Sequence, residues 1–287
     1  MKRIRIIHNT TYSYSEEVSL LPHKLMIRPR EGHDIYIENS ILQITPENKI
    51  KWQRDIYGNS VAIVSFTEPA RKLKIESDVI VRHFEEQPLD FLVDDKALHF
   101  PFFFDPSERV DLIPYQTLCF PSDSNELRVW LQQFWQPGQS IETFVLLNSI
   151  NNFIVSNFSY NMREEAGVQR PTETLALGSG SCRDFATLFI EACRYFGLAA
   201  RFVSGYLHSP DTTAGHGSTH AWSEVYLPGA GWIGFDNTSG VIVGQQHIAT
   251  AVTRHPADAP PVSGSFSGTN NRRPRMTVRV DVNEVFE

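Results

Sequence analysis

The chain has 287 residues, 41% of them apolar and 21% charged, with a formal net charge of -7, a balance that suits a packed globular fold of one large or two smaller domains. That acidity and the scatter of the Lys and Arg residues weigh against nucleic acid or an anionic membrane as the main partner, because both attract basic patches; the one basic cluster, Asn271-Arg272-Arg273-Pro274-Arg275, is short. No stretch approaches the roughly 20 apolar residues of a membrane span, and MKRIRIIHNTTYSYS turns polar too early to supply a signal-peptide core, so the expected setting is cytoplasmic.

The first hundred residues alternate with a two-residue period: Ile4 and Ile6, Tyr12 and Tyr14, Ile35 and Ile37, Ile41 and Ile44, Leu73 and Ile75, Val79 and Val81. Turn signals such as Tyr57-Gly58-Asn59-Ser60 separate these runs, which predicts an antiparallel β domain over residues 1–100. Residues from about Glu85 to Ser122, including HFPFFFDPSERVD, show neither period and predict a packed connector, with the link proper at 101–123. Helical spacing then appears in Leu127, Trp130, Leu131 and Phe134 behind an Asp123 or Ser124 cap. A second helix is expected from Ser140 to Asn157. In GSGSCRDFATLFIEACRYFG, Phe185, Leu188, Phe189, Ala192, Cys193 and Phe196 form an apolar stripe, and Gly197 supplies the left-handed stop.

Strands are expected at Arg201 to His208, His220 to Leu227 and Trp232 to Asn237, the last two joined by Pro228-Gly229-Ala230-Gly231. Helices followed by antiparallel strands predict an α+β domain over 124–250. The tail, 251–287, is rich in Pro, Gly and Ser, but Met276, Val278, Val280 and Val282 alternate as a final strand that rejoins a sheet.

The three cysteines lack CxxC pairing, which suits a reducing compartment and predicts neither a disulfide framework nor a zinc ribbon. A cysteine is a useful nucleophile as its thiolate, and a helix N-terminus offers free N–H groups and about half a positive charge to stabilise one. Cys182 falls at such a terminus, after a Gly178-Ser179-Gly180-Ser181 loop able to aim N–H groups at an oxyanion. Cys193, in mid-stripe, and Cys119, in LCFPSD, read as structural. Asp184, in the first turn, fits helix electrostatics or local hydrogen bonding better than catalysis.

A thiolate nucleophile needs a base and the base an orienting group; THAWSEVYLPGAGWIGFDNTSG offers His220 and Asp236. If the hairpin pairs Leu227 with Gly231, Asp236 stands opposite Trp222 and diagonal to His220 on one face, roughly 7 to 8 Å away between backbones. Pairing Leu227 with Trp232 instead places the two on opposite faces. Trp222 and Trp232 read as core or cleft wall. His216 and His220 have i, i+4 spacing, but Gly217 and Ser218 disfavour a helix there and no cysteine pair or HExxH completes a metal site. GSGS lacks the Lys of a phosphate loop. No cofactor or metal is expected. The loop Ser209 to Ser218, just before His220, is either a gate for substrate or a plain hairpin loop.

Gly180-Ser181-Cys182-Arg183-Asp184-Phe185-Ala186 resembles the cysteine motif of the transglutaminase-like superfamily, the papain-related cysteine enzymes; His220-Ala221-Trp222-Ser223-Glu224-Val225 resembles its histidine strand and Gly231-Trp232-Ile233-Gly234-Phe235-Asp236 its aspartate strand. HNTTYSYSEEVSLLPHKLMIRPRE with Asp55-Ile56-Tyr57-Gly58-Asn59 resembles the β domain that precedes the core in the bacterial branch, and Arg254 to Pro261 its C-terminal segment. Asn237 stands where a proline is usual, and His255-Pro256 replaces an Asp-aromatic pair. The resemblance implies a papain-like/transglutaminase core, helices packed on an antiparallel sheet, behind an antiparallel β-sandwich-like domain. It implies a Cys182, His220, Asp236 triad acting by acyl transfer on peptide or protein amides, with hydrolysis favoured over transamidation to an amine. The alternative from another class is a catalytically silent peptide-binding or scaffold module. Oligomeric state and natural substrate are not encoded in these motifs.

Overall fold

The computed structural model describes residues 1–84, 88–163, 165–208, 218–268 and 273–286. The expected gating loop up to Gly217, with His216, lies outside the described residues, as do Asn271 and Arg272 of the basic cluster.

The amino-terminal third consists of β1 (Lys2–Leu20), β2 (His23–Leu25), β3 (Ile35–Thr45), β4 (Asn48–Arg54), β5 (Ser60–Phe66) and β6 (Ala70–His83). β1 buries Ile4, Ile6, His8 and Thr10 in strict alternation, and pairs antiparallel with β6, which pairs with β3. A second sheet runs β2, β5, β4. Val18, Leu20, Leu73 and Ile75 from the first sheet meet Leu25, Ala62 and Val64 from the second in one apolar cluster, so alternation in each strand supplies one inner face of a sandwich.

The connector carries more regular structure than its composition predicts. After β7 (His99–Phe100) comes a helix, α1 (Pro106–Gln116), with Pro106 in the first turn, where its missing N–H has no helical partner to lose. Leu112 is the residue it buries, while Val110 and Ile113 are exposed; the apolar stripe that marks a core helix is therefore missing from the sequence. α2 (Ser124–Leu131) buries Leu127 and Leu131 and ends before Phe134, whose ring packs against Trp130 and Phe153 from the following turn. Asp123 caps a different helix: its carboxylate accepts from the Thr172 N–H and hydroxyl and pairs with Arg170.

β8 (Ile141–Glu142), α3 (Thr143–Asn157), β9 (Ser159–Tyr160), α4 (Pro171–Leu177), β10 (Ser179–Gly180) and α5 (Cys182–Tyr195) follow, then β11 (Ala200–Leu207), β12 (Ser218–Leu227), β13 (Gly231–Phe235) and β14 (His247–Thr253). The last four form one antiparallel sheet ordered β13, β12, β11, β14. α5 lies on this sheet at the centre of the largest core, where Leu188, Phe189 and Ala192 meet Phe202, Val225 and Phe235, with Leu146 and Ile150 of α3 behind. This is an α+β core of helices on an antiparallel sheet behind a β-rich domain. The boundary at residue 250 falls inside β14, which continues to Thr253.

The tail returns to the amino-terminal sheets through β15 (Val262–Ser263) on β2, β16 (Phe266–Ser267) on β1 and β17 (Arg275–Glu284) along β1 from Ile4 to Ser13. Ile4, Ile6, Val79, Val81, Val280 and Val282 pack against Tyr206 of β11 and Ile248 of β14. The same buried face of the first sheet thus packs on the second sheet at one end, around Leu73 and Ile75, and on the core sheet at the other. Among the described residues no helix is long and apolar enough to cross a membrane.

Candidate active site

Ser181 and Asp184 close a capping box that starts α5 at Cys182. The Asp184 carboxylate, fully buried, accepts from the Ser181 N–H (2.8 Å) and hydroxyl (2.7 Å), the Gln169 N–H (2.7 Å) and Arg163 Nη1 (2.7 Å). Burial pushes its pKa up, but these donors outweigh burial and hold it below the ordinary carboxylate range. Gly180 makes that crowding possible, because a Cβ there would lie 2.9 Å from the Asp184 Cβ and 3.0 Å from Gln169 Oε1. Cys182 therefore occupies the first helical position, where backbone N–H groups have no intrahelical acceptor.

β10 pairs in parallel with β9, Gly180 opposite Tyr160, with the Asn161 N–H donating to the Gly180 carbonyl (2.8 Å). The ladder brings Tyr160 beside Cys182; burial first, and then the neighbouring sulfur, push the phenol up to about 12. It remains a donor at neutral pH. Tyr160 was not singled out by any sequence motif, and its two-residue strand is too short to show a period.

His220 lies on β12 opposite Gly205 of β11. A Cβ on Gly205 would come within 2.6 Å of the Trp222 ring and 2.3 Å of the Ile248 carbonyl oxygen, so glycine leaves the space in which Trp222 packs beside His220, ring centroids 6.3 Å apart. The hairpin pairs Leu227 with Gly231, the odd-loop register, and Asp236 follows the last residue of β13. His220 Nε2 donates to Asp236 Oδ2 at 3.0 Å, which leaves Nδ1 for the hydrogen bond with the Cys182 thiol. Burial lowers the His220 pKa, but its bonds to Asp236 and Cys182 and their negative charges prevail and push it up to about 10. Burial would raise the Asp236 pKa; the donors from His220 and His247 carry it well below the carboxylate range instead.

His247, at the start of β14, was not found from the sequence, where VIVGQQHIATA has no motif around it. Its Nε2 lies 3.1 Å from the same Asp236 Oδ2. Asp236 Oδ1 accepts the Thr238 (2.9 Å) and Ser239 (3.3 Å) N–H groups, so Asp236 forms the turn and faces the histidines at once. Asn237, in place of a proline, is buried in a network: it accepts from Ser223 Oγ (2.8 Å) and donates to Asn151 Oδ1 (2.9 Å), while Asn151 Nδ2 reaches the Asp236 carbonyl (3.4 Å). Side chains from α3 and β12 fix this turn where a proline ring would have stiffened it.

Among the described residues, His220, Asp236 and His247 are the group whose donor atoms, all within 4.8 Å, are close enough to consider for a metal ion. Both Nε2 atoms stand at N–H···O distance from one carboxylate oxygen, and a cation would have to displace both protons. Cys119 and Cys193 differ from Cys182 in setting. Cys193 is fully buried and its thiol is pushed far up; Cys119 is also raised by burial, with Arg194 Nη1 at 2.9 Å from its sulfur. All three are free.

Residues 4–82 match the bacterial transglutaminase-like N-terminal region and residues 141–237 the transglutaminase-like superfamily. The uncharacterised Mycobacterium tuberculosis protein Rv2569c is 29% identical over 98% of this chain and 92% of its own length. The uncharacterised Mycobacterium leprae protein ML0607 is 23% identical over 93% and 94%. The crystal structure of a "Putative Cysteine Protease" from Cytophaga hutchinsonii superposes with a TM-score of 0.76 at 21% identity, covering all of this chain and 91% of that one, a likeness of fold. The chain belongs to the transglutaminase-like superfamily, with the bacterial N-terminal region ahead of the core.

Proposed function

We propose that the protein is a cysteine-dependent acyl-transfer enzyme that hydrolyses peptide or protein amides with Cys182, His220 and Asp236. One observation carries this reading: a single buried imidazole is held by a buried carboxylate at 3.0 Å and has the helix-terminal Cys182 as its other charged or polar neighbour. The name of the Cytophaga hutchinsonii structure agrees with it.

His220 takes the proton of Cys182, an acceptor role favoured by its hydrogen bond to the Asp236 carboxylate. The sulfur attacks the amide carbonyl carbon, a C–S bond forms, and the carbonyl π electrons move onto oxygen. The N–H groups opening α5 face the charge that develops there. As the oxyanion collapses, the C–N bond breaks and His220 gives its proton to the departing amine, leaving a thioester. Neutral His220 then takes a proton from water, the hydroxide oxygen attacks the thioester carbon, and the C–S bond breaks to release the acid and restore the ion pair. Asp236 holds the imidazole in the tautomer that presents Nδ1 to sulfur. The three free thiols are compatible with a reducing compartment such as the cytoplasm, the setting we assign to the enzyme.

The test combines iodoacetamide labelling at pH 6, mapped to peptides, with cleavage of a peptide amide library. Rapid labelling of Cys182 that His220→Ala abolishes, and cleavage that Cys182→Ala abolishes, support the proposal. Slow labelling insensitive to the His220 change would reduce the protein to a binding module, and incorporation of a primary amine in preference to water would make it a transamidase.

A further inference from the structure

The Asp236 carboxylate has its hydrogen-bonding capacity filled. Oδ1 takes two backbone N–H groups and Oδ2 takes two imidazoles, His220 at 3.0 Å and His247 at 3.1 Å. Two donors on each oxygen leave the carboxylate no second rotamer of equal energy. His247 is buried, its ring 6.1 Å from that of His220 and edge-on to Trp222 at 5.2 Å. Its Nδ1 faces the Gly244 N–H at 3.4 Å, so Nδ1 accepts and Nε2 carries the proton given to Asp236.

We propose that His247 is a positioning residue that holds Asp236 against His220, and that through its strand the N-terminal β domain sets the geometry of the catalytic site. This rests on the acyl-transfer reading of the triad. The backbone of β14 is clamped from the β domain at three places. His83 Nε2 of β6 donates to the His247 carbonyl (3.2 Å) and the Arg30 N–H to that of Ala249 (2.8 Å). Asn59 makes a two-way pair with Val252, Nδ2 to the carbonyl (2.8 Å) and Oδ1 from the N–H (2.9 Å). A domain that merely shielded the core sheet would need apolar contact alone. These polar bonds instead fix the register of the strand whose first residue touches the carboxylate.

The titratable groups around this centre are Asp236, His220, Cys182 and Tyr160 on the site side and His83 behind the strand. His247→Leu removes the donor at similar volume, and His247→Gln returns an N–H near the position of Nε2. With Asp236 free to turn, kcat falls on the order of 10- to 100-fold with KM within about threefold, as a small misplacement of a catalytic group does, and the glutamine variant recovers most of the loss. By ring-nitrogen NMR, His220 titrates at lower pH in the leucine variant and returns toward wild type in the glutamine one. That readout needs no turnover, so it decides the role of His247 even if no amide is cleaved. Should the leucine variant not fold, Asn59→Ala, which loosens β14 without touching the carboxylate, carries the same measurements with the same expected direction. An unchanged His220 titration in a folded variant overturns the proposal, as does a rise, which would make His247 a competitor for the carboxylate. If wild-type His220 itself shows no raised titration and Cys182 does not label at pH 6, the triad reading fails rather than the positioning one.

Discussion

Asp236 accepts the His220 Nε2–H at 3.0 Å across 16 residues of chain, because the turn between β12 and β13 has an odd number of residues. One residue more or fewer would send the carboxylate to the opposite face of the sheet. Asp236→Asn keeps the shape of that side chain but its amide cannot serve both imidazoles as a charged acceptor. His220 then loses its stabilised imidazolium and its tautomer, and the proposed amide hydrolysis should fall by about 10²- to 10⁴-fold, with Cys182 labelling at pH 6 slowed in parallel. Steady-state kinetics and labelling measured together check this; a variant that keeps both is incompatible with the orienting role.

Tyr160 stands beside Cys182 on a two-residue parallel ladder, and as a phenol it is the group there able to donate to the sulfur. Tyr160→Phe retains the ring that stands edge-on to Phe185 at 6.4 Å and deletes one hydrogen bond to a charged acceptor. Half exposure of the side chain reduces the value of that bond to about 1 kcal/mol, so labelling of Cys182 at pH 6 should slow by about fivefold with no change in unfolding midpoint. Equal labelling rates would show that the hydroxyl does nothing for the thiolate.

The Asp184 carboxylate, at the third position of α5, supports Cys182 indirectly by tying Ser181, Gln169 and Arg163 together beneath it. Asp184→Asn leaves Arg163 facing an amide and should cost about 3 kcal/mol. The folded-state pKa is below the unfolded one, so this contribution is present above about pH 4 and is lost as pH falls below it. Urea unfolding should therefore separate wild type from variant most at pH 7 and show the gap narrowing progressively as pH falls from about 4 to 3. A constant gap across that range would assign the loss to packing rather than charge.

The chemistry-bearing motifs were legible because each is local. Cys182 is marked by the glycines before it and the apolar stripe after it, and His220 and Asp236 sit on either side of one short turn. The β domain was legible for a similar reason: Ile4, Ile6, Val79 and Val81 alternate because one face of each strand is buried. What escaped is non-local. His247 reaches Asp236 through the pairing of β14 with β11, Leu207 opposite His247, and nothing within its own strand records that partner. Tyr160 depends on a parallel pairing with Gly180, far along the chain, and α1 escaped because it buries little. Asp123 had the form of a cap, but it caps α4 rather than its own helix.

His8 sits between the β domain and the core sheet in a chain of hydrogen bonds with one consistent direction. Tyr206 gives its only hydroxyl proton to the Ile27 carbonyl (3.0 Å), so it accepts from His8 Nδ1 (2.8 Å), and His8 Nε2 accepts from Thr10 Oγ1 (2.9 Å). The imidazole is neutral in this arrangement, and burial pushes its pKa down to about 4. Because the folded value lies below the unfolded one, the stabilisation is complete above about pH 6.5 and is lost as pH falls toward 4, on the order of 3 kcal/mol in all. His23 and His208 are also lowered by burial and add to the slope, so the informative quantity is a difference between variants. His8→Asn keeps a donor toward Tyr206 without a group that titrates in this range. Its stability, from urea unfolding at pH 7, 6 and 5, should start lower than wild type and then decline less steeply. Parallel slopes would show that the domain interface tolerates a charged His8 and that its acid sensitivity arises elsewhere.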